Sequence, residues 1–128
     1  MIILFLFLLF LPPIFSFEFI FTGYFTCKWT DEPFVQDFLL MDWDTITRDD
    51  KIKQAREWST DVYPYAYEVW GEEDGDGPWD NYYELYYQIT HNCTVSRKIV
   101  TQNFMFPEYS VHVSRVAEET IVHLPIQY

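Results

Sequence analysis

The sequence predicts one all-β domain, a two-sheet sandwich of about seven strands, behind a short apolar leader. Three observations predict it. Apolar and polar side chains alternate with a period of two in several separate stretches. Gly, Pro, Asp and Asn punctuate those stretches as turns do. Helical patterns are few, the charged stretch 45–58 being the main one. A length of 128 residues suits a single domain, and 49% hydrophobic with 21% aromatic content supplies a core and argues against a disordered chain.

Ile2 to Leu11 is an unbroken apolar run, and Pro12 and Pro13 stop any helix after it. Ser16 offers a small residue for cleavage, so residues 1–16 are expected to be a signal peptide and residues 17–128 the mature domain, beginning at Phe17. The segment is short and has no Lys or Arg after Met1. An uncleaved anchor and a buried strand are the competing readings. The anchor would have to span a bilayer with fewer than the roughly 20 apolar residues that spanning requires. No later stretch is apolar enough to cross a membrane. The expectation is a secreted, extracellular protein with no transmembrane anchor after signal cleavage.

The first strand is read from Phe17 to Trp29, where Phe17, Phe19, Phe21, Phe25, Cys27 and Trp29 share one parity against Glu18, Thr22, Thr26 and Lys28. Gly23 interrupts the apolar parity and marks a bulge or a close approach of another backbone. Phe34 to Trp43 is apolar on both parities, as a more deeply buried strand would be. Thr45 to Trp58 holds Arg48, Lys51, Lys53 and Arg56, half of the eight basic residues. It reads as a short amphipathic helix with Ile52, Ala55 and Trp58 inward, or as an irregular connection. Tyr63, Tyr65, Tyr67 and Val69 resume the alternation, and Gly71 to Pro78 is an acidic turn region. Leu85, Tyr87, Ile89, His91 and Cys93 form the apolar parity of the next strand. Further strands are expected at Arg97 to Phe106, Ser110 to Val116 and Thr120 to Ile126, with Pro107 and Pro125 as punctuation.

Cys27 and Cys93 are the two cysteines. In an exported protein they are expected to pair as a disulfide, and both fall on the apolar parity of their strands, where an internal bridge needs them. Two buried free thiols are the alternative. Asn92-Cys93-Thr94 is an N-glycosylation sequon, with Asn92 on the outward parity. Glu72, Glu73, Asp74, Asp76 and Asp80 lack the ligand spacing of a calcium loop and read as a solvated turn. His91 and Cys93 could reach one metal ion, but zinc needs more ligands, and His112 and His123 would have to converge on them. No metal or cofactor is expected. No Gly-x-Ser-x-Gly elbow and no nucleophile with a local base is present, so no catalytic residue is assigned and the chain is not read as an enzyme. Tyr82, Tyr83, Tyr86 and Tyr87 crowd one strand, and Tyr82 and Tyr86 are expected to point away from the core as a contact patch. A formal net charge of −12 repels nucleic acid.

The order of several motifs resembles the nematode transthyretin-like family of secreted proteins. Gly23-Tyr24-Phe25-Thr26-Cys27 is similar to that family's first strand, Asp49-Asp50-Lys51-Ile52 to its paired-Asp loop, and Thr60-Asp61 with Tyr67, Val69 and Gly71 to its Thr-Asp turn and following strand. Ile89-Thr90-His91-Asn92-Cys93 resembles its Ile-x-His-x-Cys segment, and Phe106-Pro107-Glu108-Tyr109 its apolar-Pro-x-x-Tyr segment. Two departures are Pro64 near the turn, where a Gly is usual, and the absence of further cysteines. The resemblance implies a transthyretin-type β-sandwich outside the cell and does not imply hormone binding. The function expected is a non-catalytic extracellular binding or signalling module whose partner is a protein, a lipid headgroup or a glycan. A matrix component is the alternative, then a hydrolase on the same fold with His91 as its best candidate.

Overall fold

A computed structural model describes residues 16–43, 50–74, 82–107, 109–110 and 115–127. Residues 1–15 of the expected leader, residues 44–49 of the charged stretch, residues 75–81 of the acidic turn, and His112 lie outside the described residues. The elements are β1 Ser16–Cys27, β2 Val35–Asp42, β3 Asp50–Lys51, β4 Lys53–Trp58, β5 Tyr65–Asp74, β6 Tyr82–Tyr83, β7 Leu85–His91, β8 Val100–Met105, β9 Tyr109–Ser110 and β10 Arg115–Leu124. Seven of these have six residues or more, and no helix occurs among the described residues. The expected all-β, two-sheet sandwich is the observed architecture.

The first sheet runs β10-β1-β5-β4 and the second β3-β2-β7-β8, while β6 and β9 pair as a small separate ladder. β1 and β10 are parallel, and the other pairings are antiparallel. The core is the alternation read from the sequence. Phe19, Phe21 and Phe25 from β1 meet Phe38 and Leu40 from β2, Tyr67 and Val69 from β5, and Leu85, Tyr87 and Ile89 from β7. Phe38 lies edge-on to Phe25, Tyr67 and Tyr87 at centroid distances of 5.3, 5.4 and 5.7 Å. Such aromatic pairs add to the stabilisation from buried area alone.

Gly23 is a close approach. A Cβ there would sit 1.7 Å from the Thr120 carbonyl oxygen and 2.9 Å from the Tyr67 hydroxyl. The missing side chain makes room for a hydroxyl relay through the core. The Tyr87 hydroxyl donates to Tyr67 Oη at 3.1 Å, and the Tyr67 hydroxyl donates to the Thr120 carbonyl at 2.9 Å. The relay links β7 in one sheet to β5 and β10 in the other and satisfies polar groups that burial would otherwise penalise.

Four expectations are corrected. Over its described residues the charged stretch supplies strands, β3 and β4, and not a helix. β4 lies along β5 from Lys53↔Glu72 to Trp58↔Tyr67 as an edge strand, where charged residues are tolerated. Ile52 is buried and the Trp58 ring packs on Phe38 at 5.5 Å, but Ala55 is exposed. Second, β2 buries Phe38, Leu40 and Asp42 on one parity, while Leu39 and Met41 on the other are only half-buried. Third, Ser110–Val116 and Thr120–Ile126 are not two strands. Arg115–Leu124 is one strand, held straight by unbroken parallel pairing with β1 from Glu18↔Arg115 to Cys27↔Leu124. Fourth, Trp29 lies beyond β1 and is exposed.

At the corner between the sheets, the Gln54 amide completes the edge of β2. Its Oε1 accepts from Leu40 N–H at 2.8 Å and its Nε2 donates to the Leu40 carbonyl at 2.9 Å. At the other end of the sandwich, Cys27 and Cys93 form the disulfide, with Cα atoms 5.8 Å apart. It joins the end of β1 in the first sheet to the residues after β7 in the second. Closing a loop of this length stabilises by about 4 kcal/mol on the chain-entropy view.

Candidate interaction surface

His91 is a core residue. It is fully buried, its Nδ1 accepts from Cys93 N–H at 3.0 Å, and its Nε2 therefore carries the proton and donates to Gln102 Oε1 at 2.8 Å. Burial holds its pKa below the ordinary 6.5, partly offset by the Gln102 hydrogen bond. Gln102 Oε1 also accepts from Ile126 N–H at 2.9 Å, and Gln102 Nε2 donates to the Ile126 carbonyl at 3.2 Å, so the pair ties the C-terminal segment to β8. The Cys93 sulfur is held in the disulfide and is not a metal ligand in this state. No group of three or more metal-ligating side chains occurs among the described residues. His123 is far from this cluster in role: it is exposed on β10 and pairs through Nδ1 with Thr26 Oγ1 at 2.7 Å.

Asn92 is half-buried beside the disulfide, with its backbone N–H donating to the Phe34 carbonyl at 2.9 Å. Its Oδ1 is buried without a hydrogen-bond partner. The Thr94 hydroxyl of the sequon donates to the Lys98 carbonyl at 3.0 Å.

The expected contact patch at Tyr82 and Tyr86 is corrected at Tyr86. Tyr86 is on the parity opposite to Leu85, Tyr87 and Ile89 and outside the core cluster, yet it is 4% exposed. Outward parity sets direction and not cover, and a side chain already covered offers no free area to a partner. The side chain of Tyr82 lies outside the described residues.

Open aromatic and aliphatic surface lies instead on the outer face of the first sheet. Pairing register arranges its side chains in rows across the strands. One row is Arg115, Glu18 and Glu72, with a base at the β10 end. The next is apolar: Ala117, Ile20, Trp70 and Ala55. The third is Glu119, Thr22, Glu68 and Glu57, and it contains no base. The fourth is apolar again: Ile121, Tyr24 and Ala66. Tyr24, Trp70 and Ile121 are 41%, 38% and 53% exposed. Glu57, Glu68 and Glu119 are exposed as well.

Two properties of this face stand out physically. Large apolar side chains occupy the two rows on either side of the glutamate row, whereas isolated ones are the norm on a free surface. Glu57 faces Glu68 directly across an antiparallel pair, an arrangement that destabilises a sheet. The Arg56–Asp37 and Arg97–Glu32 ion pairs lie elsewhere. Beside Trp70, an open groove of about 360 Å³ is lined by Glu18, Ile20, Glu68 and Glu72. The face can bury apolar area and attract positive charge. The sequence reading missed it because Trp70 and Tyr24 lie on the polar parity of strands read for their core. An aromatic residue at such a position is the signal that was available.

No curated protein and no solved structure matches the chain. One family does, over residues 22–127, a range that begins within β1 and runs past β10. The chain belongs to the family described as "Caenorhabditis elegans protein of unknown function (DUF870)".

Proposed function

We propose that this chain is a secreted extracellular binding module of transthyretin type, not an enzyme. The observation that carries the reading is the outer face of the first sheet, where Tyr24, Trp70 and Ile121 stand open to solvent in rows on either side of an acidic row, on a four-stranded support. Surfaces of that kind serve association. The Cys27–Cys93 bridge supports an oxidising compartment, and the apolar leader supports export. Gly23, the disulfide and the His91 segment, which carry the family resemblance, all fall at structural positions of the sandwich. In this reading Asn92 carries a glycan at the disulfide end, away from the acidic row. The partner is an extracellular protein, a lipid headgroup or a glycan, and the net charge of −12 opposes a nucleic acid.

The test is expression of the full chain in animal cells, with intact-mass analysis of the medium and a photo-cross-linker placed at Ile121. The expected product lacks residues 1–16, has no free thiol, and loses a glycan mass in Asn92→Gln. The cross-linker is expected to form a defined adduct in extracellular fluid. Retention in the cytosol with the leader intact and both thiols reduced would overturn the reading, as would a cross-linker that meets nothing.

A further inference from the structure

We infer that the outer face of the first sheet docks a basic segment of a partner protein, one that presents Arg or Lys side chains in a row between apolar ones. The inference rests on the binding-module reading and names the partner's chemistry.

The rows dictate the complement. Glu119, Glu68 and Glu57 lie in one row, with Ile20 and Trp70 on one side and Tyr24 and Ile121 on the other. Successive rows on one sheet face are about 7 Å apart, and adjacent strands about 5 Å apart. A complementary surface has a basic row flanked at about 7 Å on both sides by apolar groups. The groove beside Trp70 suits one long cationic side chain, with Trp70 lining one part and Glu68 and Glu72 lining others. An aromatic face and carboxylates together favour a guanidinium or an ammonium ion.

Charge selects among the occupants. A second copy of this chain would bring a row of glutamates against its own like, in a molecule that already carries −12. An anionic membrane is repelled in the same way. The row Arg115, Glu18 and Glu72 includes a base, so acids on this sheet can be offset from within. The Glu119, Glu68 and Glu57 row is left unbalanced, and Glu57 opposite Glu68 works against stability. A departure from local stability rules on an otherwise consistent fold marks a functional surface. A basic partner removes the repulsion on docking, so the charge that weakens the free sheet strengthens the complex.

The probe is a synthetic peptide with arginines in a row between leucines, and its control has glutamates in place of the arginines. Each is titrated into the isotope-labelled, disulfide-bonded protein at low salt and followed by amide NMR. The arginine peptide is expected to shift signals of Ile20, Glu57, Glu68 and Trp70, and to weaken at least about tenfold when salt is raised to physiological strength. Glu57→Lys with Glu68→Lys is expected to reverse the preference toward the glutamate peptide, and the milder Glu68→Gln to weaken arginine-peptide binding with the spectrum otherwise unchanged. Equal binding of both peptides, shifts confined to another surface, or binding of anionic phospholipid vesicles through this face would each overturn the inference. If the peptide fails while the Ile121 cross-linker still captures a partner, the docking chemistry is wrong and the binding-module reading survives.

Discussion

The two faces of the first sheet are made by the same strands and answer to different demands. On the inner side Phe19, Phe21, Phe25, Tyr67 and Val69 are each at most 3% exposed, and the buried Tyr67 hydroxyl has a donor on one side and an acceptor on the other. On the outer side, one residue along, Tyr24 and Trp70 are open to water and Glu57 faces Glu68. The inner face is arranged for stability at almost every position. The outer face leaves stability unclaimed at several. Substitution at inner positions should therefore weaken the fold, while substitution at selected outer positions should strengthen it.

The largest effect is expected at Gly23. Alanine there collides with the Thr120 carbonyl, and relief requires β1 and β10 to part, so Gly23→Ala should cost about 3 kcal/mol or more in urea unfolding. A loss below about 0.5 kcal/mol would show that the strands yield freely and would blunt the contrast between the faces.

Tyr67→Phe comes next. It leaves the Thr120 carbonyl without its donor and the Tyr87 hydroxyl without its acceptor, for an expected loss of about 2 kcal/mol. Tyr87→Phe removes one donor and leaves the bond from Tyr67 to Thr120 intact, so about 1 kcal/mol is expected. Burial pushes the Tyr67 pKa up to about 12, with the Tyr87 hydrogen bond acting in the opposite sense. Spectrophotometric titration of Tyr67→Phe should therefore remove a late-ionising tyrosine. Equal losses for the two variants in urea unfolding would break the relay as described.

His91 sharpens the comparison by pH. His91 is buried and its pKa lies below 6.5. The unfolded chain binds the proton more readily, so stability is complete above pH 6.5 and falls as pH drops toward the folded-state value. The stability advantage of the native protein over His91→Gln should narrow between pH 7.5 and 5. A wild-type advantage that widens on acidification would contradict the buried, neutral His91.

The smallest effect has the opposite sign. Glu57→Lys turns a repulsive cross-strand pair into an attractive one and should raise stability by a few tenths to about 1 kcal/mol at low salt. The gain should shrink as salt is added.

The sandwich was legible because β1, β5 and β7 each bury one parity without interruption, and the disulfide because both cysteines continue those parities. β4 was hidden by its charges: as an edge strand it has one neighbour and keeps Lys53, Arg56 and Glu57. β10 was split in two because Glu118 and Glu119 break its apolar pattern in the middle. The interaction surface was sought at Tyr82 and Tyr86, the densest tyrosine run, because sequence gives a side chain's direction and not what covers it. Rows such as Glu119, Thr22, Glu68 and Glu57 arise only once β10 pairs in parallel with β1, and β4 with β5. That strand order joins residues far apart in the chain, and no local pattern reports it.

Thermal unfolding of the wild type and Glu57→Lys at low salt, each with and without the arginine peptide, brings both demands into one measurement. A ligand that binds only the folded state raises the melting temperature. The expected result is a variant that melts above the wild type when free and is scarcely moved by peptide, while the wild type is raised by it. A variant that melts at or below the wild type, with both proteins raised equally by the peptide, would show that the acidic row neither weakens the free sheet nor recognises a basic partner.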